Sequence, residues 1–194
     1  MRIDHVIYAT ADLDVAARRI EEQLGLEAVA GGRHDGIGTH NRIVPLGGGY
    51  LELLAVADAR EAAGSELGAA LLARIEDVGE GLMGWAVFVD DIDALSSRLG
   101  TSLLTVTRQG LSGYLTGLPE SLREPCLPFF ISRDAGMRAP GDRAHLPGIT
   151  WIEVAGDAAR LRSWLGDADL PVRVVAGDPG VRAVGIGERE LRGR

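Results

Sequence analysis

HVIYATADLD (residues 5–14) and GWAVFVDDID (residues 84–93) superpose without a gap, each an apolar strand running into an Asp-aliphatic-Asp helix start. Self-similarity of this kind marks a chain assembled from repeated supersecondary units. Each start leads into a helix that ends in Leu-Gly. Counting back from that leucine by four and seven residues gives a stripe of Leu24, Ile20 and Ala17 in the first copy and Leu99, Leu95 and Ile92 in the second, the spacing of one helix face. Asp12 or Asp91 supplies the N-cap, and Gly25 or Gly100 takes the left-handed position after the last turn.

A fainter third copy, TWIEVAGDAARLRSWLG from Thr150, places Leu165, Leu161 and Ala158 at the same offsets, and its tail VRVVAGDPGVRAVGIG reads as two strands about a Gly-Asp-Pro-Gly turn. The first βα unit is followed by strands near residues 27–30, 39–46 and 50–56, the second by strands near 102–108, 112–116 and 126–132. Each full module is therefore βαβββ. The spacing predicts an α+β chain with a first module over 1–58, a helical linker over 59–80 capped by Ser65, a second module over 81–134 and a partial βαββ unit over 135–194.

Composition limits the function. The 194 residues are 46% hydrophobic and 25% charged, with formal charge −8, so a phosphate backbone would be repelled on average and nucleic acid is not expected as a partner. All 20 basic residues are arginine. That excludes Schiff-base lysine chemistry and a P-loop lysine. The single cysteine, Cys126, permits no disulfide framework within one chain. The glycine-rich stretches GGRHDGIG, GGG and GDPGVRAVGIG lack the strand-then-helix context of a phosphate loop, so no nucleotide cofactor is expected. The amino terminus lacks the long apolar segment of a signal peptide and no run approaches membrane-spanning length, so a cytoplasmic location and no membrane partner are expected.

The stretch GTHNRIVPLGGGYLELL (residues 38–54) carries the candidate chemistry. A turn at Gly47–Gly49 would pair Leu46 with Tyr50, and period-two alternation would then put His40 and Arg42 on the same side as Tyr50 and Glu52. His40 would lie four residues from Glu52 along the strand, roughly 13 Å, so the two could share a ligand only if a bulge intervened. Glu52 on a half-apolar face is either functional or tied to a partner such as Arg42. His40, Arg42 and Tyr50 are candidate ligand contacts. Gly84, Ala86 and Phe88 share one side of the second repeat and are expected to face the cleft, where the small residues make room and Gly84 and Phe88 are candidate ligand contacts; Phe129 and Phe130 point opposite ways, so one of them could supply an apolar wall. His34 and His145 fall in Gly/Pro-bounded loops and are expected to be exposed.

The repeat, with IDHVIYATADLD and the GTHN and YLEL strands, resembles the glyoxalase-like members of the vicinal oxygen chelate superfamily over Met1 to about Asp134. The resemblance implies two βαβββ modules whose sheets curl into an incomplete barrel around a small-molecule cleft. In metal-using members each module contributes a ligand from its first and its last strand. By position, His5 and Glu52 match those of the first module, as metal ligands or as a catalytic pair with Glu52 the acid/base. Gly84 stands where a second-module histidine would be, and CLPFFIS offers no final carboxylate. A divalent ion is therefore expected to be weakly held. The resemblance implies a lyase, isomerase or dioxygenase, or alternatively a non-catalytic sequestering protein of bleomycin-resistance type; a ligand-sensing module is a third reading. A homodimer stays open.

Overall fold

In a computed structural model of the chain, the described residues are 1–108, 111–137, 139–142, 146 and 148–193. His145, one of the two loop histidines, lies outside them. The elements in chain order are β1 (Arg2–Ala9), α1 (Leu13–Leu24), β2 (Val29–His34), β3 (Thr39–Pro45), β4 (Tyr50–Val56), α2 (Ala59–Ala63), α3 (Glu66–Asp77), β5 (Gly81–Phe88), α4 (Ile92–Leu99), β6 (Leu103–Arg108), β7 (Leu111–Thr116), α5 (Leu118–Arg123), β8 (Phe129–Arg133), β9 (Ile149–Ala155), α6 (Ala158–Leu165), β10 (Val172–Val175), β11 (Gly180–Ile186) and β12 (Arg189–Arg192). The caps are those the sequence predicts. The Asp12 side chain accepts from the N–H groups of Asp14 and Val15, Asp91 from Ala94 and Ser65 from Gly68, while Gly25 and Gly100 are left-handed with φ of 61° and 66°.

Eight strands form one sheet in the order β2-β3-β4-β1-β5-β8-β7-β6. In each half the first strand of the repeat lies parallel to the last, β1 to β4 and β5 to β8, and the halves meet through the antiparallel β1–β5 pair. The repeated sequence thus becomes a repeated half-sheet, curled into an incomplete barrel. Its convex face buries Val6, Leu51, Leu53, Trp85 and Val87 against the stripes of α1 and α4. The concave face carries Ile7, Ala9, Leu54, Ala86 and Phe129.

The segment between the repeats does more than connect them. It breaks at Gly64 into α2 and α3, and Leu71 of α3 is wholly buried on the concave face, with Leu67 and Ile75 packed beside it. Each such side chain removed from water contributes about 1.5–3 kcal/mol, so α3 plugs part of the barrel.

The carboxy-terminal unit forms a second sheet in the order β10-β9-β11-β12. The predicted strands flank the Gly-Asp-Pro-Gly turn, but they do not pair with each other. Val175 of β10 and Gly180 of β11 both lie beside Ala155, so β9 is inserted between them. The four intervening residues can cover about 13 Å, enough to cross the two strand spacings of about 4.8 Å each. The strand β12 extends the unit beyond its expected length. It is not a detached body: Ile152, Val154, Val184 and Leu191 share the convex-face core, and Trp164 donates its indole N–H to the Pro128 carbonyl at 2.8 Å.

Candidate active site

Two cross-strand rows on the concave face build the site. One row runs Tyr50, His5, Ala86, Phe129 across β4, β1, β5 and β8, and the next runs Glu52, Ile7, Gly84. Residues two apart on one strand share a face, so parity on β1 and β4 brings His5 and Glu52 to the same side. His5 is 3% exposed and Glu52 8%. The His5 Nε2 atom lies 3.7 Å from Glu52 Oε2.

A bulge adds Asp4 to this side. Ile3 pairs with Val87 and His5 with Ala86, so Asp4 is the extra residue, and Ile3 and Val6 both keep to the helix-covered core. Asp4 and His5 therefore share the concave side although they are neighbours in sequence. Asp4 is completely buried. Its carboxylate accepts two hydrogen bonds from the Arg133 guanidinium, both 2.7 Å, and one from His5 Nδ1 at 2.8 Å. Burial alone would raise the Asp4 pKa; the hydrogen bonds from Arg133 and His5, with their charges, outweigh it and hold the carboxyl well below its usual range. With Nδ1–H committed to Asp4, the imidazole presents Nε2 to Glu52.

Tyr50 stacks on His5 with ring centroids 4.6 Å apart, and Phe129 meets the same imidazole edge-on at 5.4 Å. Burial, followed by the negative charges of Asp4 and Glu52, raises the Tyr50 pKa well above that of a free phenol, so the hydroxyl stays neutral. The His5 ring is clamped on both sides.

Glu52 is steadied from the other side by Asn41, whose Nδ2 donates to Oε1. The Asn41 amide is itself fixed: its Oδ1 accepts the Gly32 N–H at 2.8 Å, and its Nδ2 lies 3.2 Å from His34 Nε2, while His34 Nδ1 is 2.9 Å from the Thr39 hydroxyl. A Cβ at Gly31 would fall 1.9 Å from Asn41 Oδ1, so the close approach requires glycine there. His34, expected in an exposed loop, is half-buried at the end of β2 and supports this network.

The register of the hairpin corrects the sequence reading. Pro45, not Leu46, pairs with Tyr50, and Ile43 pairs with Glu52. Leu46 leaves the ladder, its N–H donates to the Gly49 carbonyl, and its side chain enters the core, so four residues form the connection instead of three. A one-residue slip exchanges the faces of a strand. His40 and Arg42 consequently lie on the side away from Glu52, with Arg42 paired to Asp14 of α1 and both residues lining an outer groove. Asn41 takes the inward place. Phe88 sits at the far end of β5, its ring under the Arg2 guanidinium at 3.9 Å, away from Glu52. A Cβ built on Gly84 meets nothing within 4 Å, so that position opens space.

Asp4, Asn41 and Arg133 were not among the candidates. An Asp-His doublet inside an otherwise apolar strand is the one signal that could have pointed to Asp4; Arg133 is 129 positions away, and nothing local announces it.

His5 Nε2 and Glu52 Oε2 are far enough apart to accept one shared ion, yet among the described residues no group of three or more His, Cys, Asp or Glu can hold a metal. Resident zinc normally takes at least three protein ligands. The described residues do not make a site of that kind.

A family model described as a glyoxalase-like domain matches residues 3–168. Among curated proteins none is a match in sequence. Of solved structures, a hypothetical protein from Staphylococcus aureus is similar with a TM-score of 0.71 at 17% identity, covering 94% of this chain and 89% of its own. A variant of Streptomyces coelicolor methylmalonyl-CoA epimerase in complex with 2-nitronate-propionyl-CoA gives 0.54 at 23% identity, covering 70% and 99%. A hypothetical protein from Bacillus halodurans gives 0.51 at 17%, covering 71% and 96%. At these identities the likeness is one of fold.

Proposed function

Because the chain belongs to the glyoxalase-like domain family, we propose that it is an enzyme that moves a proton on a small molecule, of isomerase or lyase type, with Glu52 as the base and His5 as its acid partner. The observation that carries this reading is the facing pair itself. At 3.7 Å the two atoms are too far apart to hydrogen-bond to each other, but each can reach one hydroxyl, carbonyl or water oxygen lying beside them at about 2.8 Å. Asp4 fixes the imidazole by its Nδ1, Asn41 fixes the carboxylate by Oε1, and the free atom of each group is turned to the same place. Glu52 would take the proton from carbon or oxygen while His5, carrying a proton on each ring nitrogen with Nδ1–H held by Asp4, donates Nε2–H to the oxygen on which negative charge develops. Epimerisation, named for one structural relative, is proton transfer at carbon and belongs to this class of reaction. Any divalent ion bound between His5 and Glu52 would depend on water and substrate oxygens for its remaining ligands, and so would be weakly held.

The shortage of metal donors, with Gly84 where the superfamily places a ligand, favours a second reading in which the chain sequesters a small molecule unchanged. One experiment separates the two. Compounds that raise the thermal midpoint are incubated with the protein in D2O, and proton exchange is followed by NMR. Enzyme-dependent exchange that falls by about 10²–10⁴-fold in Glu52→Gln, with binding retained, supports the first reading; binding with no exchange supports the second.

A further inference from the structure

A cavity of about 520 Å³ adjoins the inner end of the site. Its floor is Ile7, Gly84 and Phe129, which flank Glu52 and His5 in the two cross-strand rows. Leu67 of α3 and Leu122 of α5 form two walls, and the turn from β10 into β11 closes the far side with Pro179 and Val181. We propose that this cavity seats an uncharged, apolar body of the substrate, whose polar reacting end lies at His5 and Glu52. The inference rests on the reading of that pair as the reacting groups.

Three observations converge on it. The volume falls within the range of small-molecule pockets, and the floor and the walls from Leu67 and Leu122 are hydrocarbon. Among the described residues, the charged ones that line it are Arg74 and Arg182 against Asp77 and Asp178, two of each sign. Gly84 has no left-handed φ to require glycine, and open space where a side chain would stand, so its lack of a Cβ serves the cavity and not the backbone. The third unit, through residues 179–181, thereby joins the two modules in selecting the substrate.

Normal alkanols from butanol to decanol are suitable probes, with binding to the intact protein measured by calorimetry. Affinity should rise about fourfold per methylene until the cavity is filled, and then level off. Gly84→Leu, which fills the space, and Ala73→Trp, on an exposed position of α3 at the wall, should each flatten that rise. Glu52→Gln should leave it unchanged. Octanol should raise the KM of any compound that undergoes exchange, with kcat unaltered. A flat series in the unmodified protein, a rise untouched by both cavity variants, or inhibition that lowers kcat alone would overturn the proposal. Loss of the catalytic reading has a different signature: the alkanol series stays steep while Glu52→Gln retains full exchange.

Discussion

The Asp4 carboxylate lies 2.8 Å from Nδ1 of His5, its neighbour in sequence, and both side chains occupy the concave side of β1. Regular alternation would send them to opposite faces. The bulge that reunites them gives the histidine a fixed orientation and places a charge in a fully buried position, where the two-toothed bond from Arg133 and the bond from His5 make it tolerable.

Removing one member of that pair leaves the other charged and unpartnered. Asp4→Leu or Arg133→Met should each cost about 3–5 kcal/mol in urea denaturation, whereas the double variant Asp4→Leu with Arg133→Met should recover much of the loss. Equal, additive losses in the double variant would show that the two side chains act independently.

Stability should fall at both ends of the pH scale. Asp4 has a depressed pKa in the folded chain, so on acidification the unfolded chain takes up its proton first. The stability it contributes is present above about pH 4 and declines steadily as pH drops below that. Tyr50 has a raised pKa, so the unfolded chain ionises first on the alkaline side, and stability is lost as pH rises above about 10. Thermal midpoints across pH 2 to 11 test both limbs; Asp4→Asn should flatten the acidic one and Tyr50→Phe the alkaline one.

The observed register separates residues that the sequence places together. His40→Ala and Arg42→Ala, on the outer side, should leave proton exchange within twofold of the parent. Asn41→Ala removes the hydrogen bond that orients Glu52 and should lower kcat about tenfold, with KM little changed. Gly31→Ala should mimic it by displacing the Asn41 amide, and an unchanged kcat in both would remove Asn41 from the positioning role.

Zinc added to the purified protein should be lost on dialysis, since His5 and Glu52 supply two donors where retained zinc normally has three or four. Elemental analysis after chelator treatment checks this. Stoichiometric metal surviving it would require a ligand set other than the described residues provide.

The repeat, the helix caps and the alternation of β1, β4 and β5 follow from local rules that three or four neighbouring residues suffice to satisfy, and they were legible in the order of the amino acids. The approach of His5 to Glu52 followed only from the family resemblance, which implies that β1 and β4 are neighbours. Three features needed the folded chain. The hairpin register turned on whether Leu46 stayed in the ladder or entered the core, where it is wholly buried. The inward turn of Asp4 needed a bulge against β5, and its counter-ion came from β8, across the sheet. The position of β9 between β10 and β11 was decided by the surface the second sheet buries, because the Gly-Asp-Pro-Gly connection is long enough for either arrangement. Local chemistry determined what each segment of this protein is, and the burial of charge and hydrocarbon between distant segments decided which residues face the cleft.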